Sequence, residues 1–176
     1  MDWMNMIGGL AQQLTGGAAP QPGQMEQHYD QMSQATPTSV IASGLAAAFR
    51  SDQTPAFAQM AAQLFGGSSG TQQASMLNTL LATAGPAVLS SLLSSGKVPG
   101  LSSLLGGGGP RELTQNEVAQ VPVEEIQHLA DHVEKHDPSI VDRMSELYAE
   151  HPGAVKTLGG AALAIAMAEV AKRTQQ

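Results

Sequence analysis

The sequence predicts an all-α fold of short amphipathic helices separated by Gly/Pro breaks, with the C-terminal third forming a helical hairpin or three-helix unit. Three observations predict it. Apolar residues recur at spacings of three and four, and no run alternates apolar with polar over a strand's length. The apolar content is mostly Ala, Leu, Met and Val, with only one Trp, two Tyr and three Phe in 176 residues, a composition that suits helix better than sheet. Pairs of Gly and Pro fall between the periodic runs, where they end one helix and admit the next.

Taken in order, Asp2 can cap a first helix whose stripe is Trp3, Ile7, Leu10 and Leu14, and Gly16-Gly17 ends it. If buried, those four side chains would contribute roughly 6 to 12 kcal/mol in gross terms, less the ordering cost of so short a helix. Residues 1–15 are therefore a candidate contact with a membrane surface or a partner. Several copies in one oligomer would hold a membrane far more firmly than a single copy. A Pro/Gly/Gln linker, Ala18 to Gln24, leads to a short helix with Met25, His28, Tyr29 and Met32 on one side.

Thr36-Pro37 and Thr54-Pro55 each offer a capping hydroxyl followed by a proline at the first helical position. The helix after the first presents Val40, Ile41, Leu45 and Phe49. The helix after the second presents Phe57, Met60, Ala61, Leu64 and Phe65 before Gly66-Gly67. Thr71 opens a helix with Leu77, Leu80 and Leu81, Gly85-Pro86 interrupts it, and a further segment carries Val88, Leu89, Leu92 and Leu93. The motif Leu-Ser-Ser-Leu-Leu at residues 89–93 recurs at 101–105, too short an echo for a solenoid. The run Gly106 to Gly109 then reads as a flexible spacer.

In the C-terminal third, Thr114 with Glu117 makes a capping box, and Leu113 with Val118 sits at the spacing of a hydrophobic staple. Pro122 opens a helix with Ile126, Leu129 and Val133. Asp137-Pro138 closes it and starts the next, with Ile140, Val141, Met144, Leu147 and Tyr148. In the last helix Gly160, Ala164 and Ala168 fall on one face at intervals of four, where small residues let two helix backbones approach.

Charge divides the chain. Of 8 basic and 15 acidic residues, six (Asp2, Glu26, Asp30, Arg50, Asp52 and Lys97) lie in residues 1–109, and all the others follow. A solvated helix normally carries a charged outer face, so the central stretch is expected to be covered by copies of itself, a partner or lipid. The organisation that follows is an amphipathic N-terminal helix (1–15), a charge-poor Ala/Leu/Ser/Gly-rich helical region (16–109) and a charged helical region (110–176). Oligomer packing is expected through Leu77, Leu81, Val88, Leu92, Gly160, Ala164 and Ala168. Residues 75–95 are long enough to span a bilayer, but Asn78, the hydroxyl residues and Gly85-Pro86 make them polar and broken for that role.

Several classes of chemistry are excluded. The absence of cysteine removes disulfides, thiolate metal sites and cysteine nucleophiles together. A formal charge of −7 and a pI near 5.0 argue against nucleic acid, whose phosphates call for clustered Lys and Arg. No Gly-x-Ser-x-Gly elbow, Walker loop or His-Glu-x-x-His is present. The N-terminus lacks the basic and long apolar regions of a secretory signal, which places the chain in the cytoplasm.

The remaining candidate for chemistry is a histidine row, His128, His132 and His136, on one flank of its helix, with Glu125 three residues ahead of it. One Glu-x-x-His unit is half of what a carboxylate-bridged di-metal bundle uses. Two histidines four apart can also share a transition metal, with further ligands from another chain, His28 or His151. The competing reading is a solvated or interface flank beside the Ile126/Leu129/Val133 stripe.

Two blocks, GLAAAFRSDQTPAFAQMAAQLFG from Gly44 and DPSIVDRMSELYAEHPGAVKTLG from Asp137, resemble a group of uncharacterised bacterial helical proteins. In size and in its charge-poor helical plan the chain is loosely similar to scaffold or stalk subunits of membrane-associated nickel-iron hydrogenases. The near absence of charge from Gln53 to Pro110, with the small-residue face at Gly160, Ala164 and Ala168, leads to the expectation of a non-enzymatic scaffold that self-associates and attaches a larger complex to a membrane surface, with no cofactor of its own; the resemblance adds only a setting, a respiratory oxidoreductase at the inner face of a membrane. The alternative is a transition-metal- or cofactor-binding bundle that uses His128, His132 and His136.

Overall fold

The computed structural model describes residues 22–106 and 111–176, and within them every regular element is helical. In chain order these are α1 (Pro22–Ala35), α2 (Thr38–Phe49), α3 (Phe57–Gly67), α4 (Gly70–Ser94), α5 (Pro99–Leu105), α6 (Gln115–Val118), α7 (Val123–His136), α8 (Ile140–Ala149), α9 (Pro152–Val155), a 3-10 turn (Lys156–Leu158) and α10 (Gly160–Thr174). The all-α expectation holds. The stripe Trp3, Ile7, Leu10 and Leu14 lies outside the described residues.

Local chemistry sets most of the boundaries. The capping box of α6 forms, with the Glu117 carboxylate accepting from the Thr114 backbone N–H at 2.9 Å and from its hydroxyl at 3.0 Å. Leu113 and Val118 are both buried beside it, as a staple requires. Ser69, rather than Thr71, caps α4, with the side chain of Gln72 accepting from the Ser69 N–H at 3.0 Å. Gly85, at φ 69° and ψ 172°, breaks α4 into two rods, a conformation that a side-chain-bearing residue adopts only with strain. Pro86 then opens the second rod without a missing donor, because a first-turn N–H has no helical partner.

The two Thr-Pro starts behave differently from the reading above. Pro37 is itself the N-cap of α2, in an extended conformation, and α3 begins only at Phe57 after an N-cap at Ala56. The Thr54 hydroxyl reaches backwards to the carbonyls of Ala48 at 2.6 Å and Ser51 at 2.9 Å. It ties down the end of α2, where helical carbonyls lack partners.

Each charge-poor helix is covered by a C-terminal one. Helix α2 packs between α8 and α10, α3 lies on α7, and α4 rests against α6, α7 and α8, while α1 lies on α10. One contiguous apolar core draws on all of them, from Met25 in α1 to Val170 in α10. The regions 16–109 and 110–176 thus share a core among the described residues, and Val123 is the one large apolar side chain there that stands exposed, at 38%.

Along α3 and α4, solvent meets the charge-poor half through neutral groups instead of ionic ones. Gln59, Gln63, Thr71, Ser75, Ser90, Ser91 and Ser94 are exposed. Along α4 the hydroxyls of Ser75, Thr79 and Thr83 donate to the carbonyls of Thr71, Ser75 and Thr79 at 3.1, 2.8 and 2.8 Å. Among the described residues, these uncharged helices are covered on their apolar side by the chain's own C-terminal helices. Their outer side is polar without charge.

Among the described residues, two ion pairs join distant parts of the fold. Arg50, the C-cap of α2, makes a two-pronged contact with Asp142 of α8 at 2.9 and 2.8 Å. Lys156 of the 3-10 turn pairs with Asp30 of α1. Both partners of the first pair are about half exposed, so it is worth about 1 kcal/mol or less.

Candidate functional site

Helix α7 carries the candidate site. Ile126, Leu129, Ala130 and Val133 form its core stripe, and Glu125 and His132 flank that stripe on one side. Seven residues apart, they sit within about 20 degrees of each other around the axis.

Glu125 is only 5% exposed, yet it is a carboxylate. Its two oxygens accept the backbone N–H groups of Gly100 and Leu101, each at 2.8 Å. The reason lies in the sequence of α5, which starts Val98-Pro99-Gly100-Leu101 with no Ser, Thr, Asp or Asn to cap it. Its first donors would otherwise be orphaned in the interior. A carboxylate also meets the positive end of the helix there. Gly100 makes room for it, since a Cβ at that position would stand 3.0 Å from Glu125 Oε1 and 3.2 Å from Oε2.

The histidines diverge. His128 is exposed. His136 turns its Nδ1 to the carbonyl of His132 at 2.8 Å, and because a carbonyl only accepts, that nitrogen carries the hydrogen. The rings of His132 and His136 lie 4.6 Å apart at 42°. His132 is partly buried, and its Nε2 is sealed from solvent with no hydrogen-bond partner. Burial is the main force pushing its pKa below the ordinary value, with His136, Lys135 and Lys97 adding to the effect and Asp131 opposing it.

The candidate set of the alternative metal reading is therefore not brought together. Glu125 is engaged by α5, His128 faces water, and His136 is bonded to its own helix. Among the described residues no group of three or more His, Asp or Glu side chains is placed to hold a metal ion, His28 and His151 included.

The residues expected to pack an oligomer lie largely within the chain itself. Leu77, Leu81 and Leu92 are 0%, 2% and 2% exposed inside the chain's own core, and Val88 packs partly buried against it. The face of Gly160, Ala164 and Ala168 is split, with Ala164 buried, Gly160 partly covered and Ala168 exposed. The close helix approach occurs elsewhere. Gly44 of α2 sits so near α10 that a Cβ there would lie 2.5 Å from the Ala166 carbonyl oxygen and 2.8 Å from Val170 Cγ2.

Sequence reasoning missed three further polar contacts. The Asn78 side chain both donates to and accepts from the backbone of Leu113, at 3.1 and 2.8 Å, fastening the start of the charged region to α4. The Tyr148 hydroxyl lies 2.9 Å from Met76 Sδ and 3.1 Å from Ser68 Oγ, and burial pushes its pKa up to about 12. Glu125 is the third. A lone Asn amid the leucines of α4 and a helix start without a cap were the available signals.

Comparison of the chain with protein-family models, with curated proteins and with solved structures finds no match in any of the three.

Proposed function

We propose that the chain is a non-enzymatic assembly subunit whose helical body is self-covered and whose attachment element is the apolar stripe Trp3, Ile7, Leu10 and Leu14 of the N-terminal sequence. The observation that supports this reading is the internal use of apolar surface. Among the described residues every large apolar side chain except Val123 is at least partly withdrawn from water. Few large apolar side chains stand fully exposed among the described residues, so attachment is assigned to the N-terminal stripe, where four large apolar residues recur at helical spacing. In this reading the stripe joins the chain to its own copies and to a larger complex at the cytoplasmic surface of a membrane.

The test keeps the full chain and replaces Trp3, Ile7, Leu10 and Leu14 together by Gln. Light scattering at micromolar concentration and flotation with anionic vesicles are run on both forms. The parent chain is expected to self-associate or float, and the substituted chain to do neither. A parent chain that stays monomeric and sediments away from vesicles rejects the proposal.

A further inference from the structure

We propose that residues 86–105, the second rod of α4 together with α5, form a flap that opens from the body as one unit about Gly85. The inference is independent of the proposed attachment role, and it gives the Leu-Ser-Ser-Leu-Leu echo a place in the fold. Each half of the flap begins at a proline, Pro86 or Pro99, and carries one copy of the motif. Each also ends at a glycine of positive φ, Gly96 at 70° or Gly106 at 49°. The two halves use the motif alike. Leu89 and Leu92 in one, and Leu101 and Leu105 in the other, are buried in the core, while Leu93 and Leu104 are only partly buried against it.

Charged side chains from the C-terminal region hold α5 at both ends. At its start the Glu125 carboxylate accepts the N–H groups of Gly100 and Leu101, each at 2.8 Å. At its end the Arg111 guanidinium donates to the carbonyl of Leu104 at 3.0 Å, and Arg111 is itself held by the Glu117 carboxylate at 2.7 Å. A helix of 7 residues is too short to persist without such partners. The second rod of α4 differs, since the hydroxyls of Ser94 and Ser95 donate to carbonyls of the segment itself, at Ser90 and Leu92. The polar hold on the flap is therefore concentrated on α5.

The hinge is where the helical ladder is already interrupted. A Cβ on Gly85 would meet nothing within 4 Å, so packing does not call for glycine there; its φ of 69° and ψ of 172° do. Pro86 has no N–H with which to bond back to the first rod. A segment that starts at such a break and is fastened by a few side chains from one region has the makings of a cooperative opening below global unfolding. Opening brings Leu89, Leu92, Val98, Leu101 and Leu105 to solvent together, and each is 3% exposed or less in the closed form.

The test is amide hydrogen exchange on the full chain at several urea concentrations below the unfolding transition. Slow amides in both halves of the flap are expected to share one opening, at least about tenfold more populated than the one that exposes α2 and α8 and less steeply dependent on urea. Glu125→Gln, at a side chain whose hydrogen bonds run to α5, should speed exchange in residues 86–94 and 99–105 by the same factor. Gly44→Ala, which crowds α2 against α10, should speed exchange in those two helices and leave the flap unchanged. Halves that open at unrelated rates, a flap that exchanges only with α2 and α8, a response to Glu125→Gln confined to residues 99–105, or a flap that speeds up with Gly44→Ala overturns the proposal. Should either variant not fold, the parent chain decides by whether its two halves share an opening distinct from that of α2 and α8.

Discussion

Gly44 of α2 faces the backbone of Ala166 in α10 with no space for a side chain between them: a methyl group there would reach to 2.5 Å from the Ala166 oxygen. Gly44→Ala is expected to force the two helices apart and to destabilise the fold by about 1 to 3 kcal/mol, the usual cost of overpacking. Urea denaturation followed by circular dichroism measures it. An unchanged midpoint would show that α10 does not pack on α2 at this register.

Glu125 is the cap that α5 lacks in its own sequence. Glu125→Ala leaves the N–H groups of Gly100 and Leu101 without acceptors and should cost about 2 to 4 kcal/mol. Glu125→Gln keeps the shape but gives up the charge and places an NH2 where an acceptor is needed, so it should recover only part of that loss. The order of the three urea midpoints, Glu above Gln above Ala, checks the assignment.

The two tyrosines make opposite cases. Tyr148 has Ser68 and Met76 beside its hydroxyl, and Tyr148→Phe should cost about 1 kcal/mol. The hydroxyl of Tyr29 is buried with no partner, so Tyr29→Phe should be neutral or slightly stabilising. Thermal melts of the two variants are expected to move apart, and a larger loss for Tyr29→Phe would contradict the placement of α1.

The carboxylate of Glu117 is held well below its usual range, at about 2, first by the Arg111 guanidinium and then by the Thr114 backbone and hydroxyl. A lowered carboxylate keeps its interactions above its ordinary value of 4.5 and loses them as pH falls through about 2. An NMR titration of the Glu117 carboxyl should therefore show a midpoint near the lower value. Arg111→Ala should raise it.

Features written within a few residues of each other were legible in the sequence. The Thr114–Glu117 box, the Leu113–Val118 staple and the Gly85-Pro86 break all depend on near neighbours, and the structure contains each of them. The Ile126/Leu129/Val133 stripe was legible for the same reason.

What could not be read was which distant element would cover which face. The near absence of charge from Gln53 to Pro110, with Lys97 alone, pointed to an external cover, because ionic side chains are the usual solvating coat. Hydroxyls and amides serve here instead, and α7, α8 and α10 supply the inner cover. Glu125 was misread in the same way. Its spacing to His128 suggested a ligand set, but its partner is a helix start 24 and 25 residues earlier, a relation no local window contains.

The break at Gly85 also limits how far the longest of the described helices can reach. Helix α4 has 25 residues and the composition of a bilayer-crossing segment, and unbroken it would measure about 37 Å. Divided at φ 69°, it becomes one piece of about 22 Å and another of about 13 Å. Neither matches a hydrocarbon layer of about 30 Å, so a single glycine dihedral turns a plank long enough to bridge that layer into two that fall short of its far side.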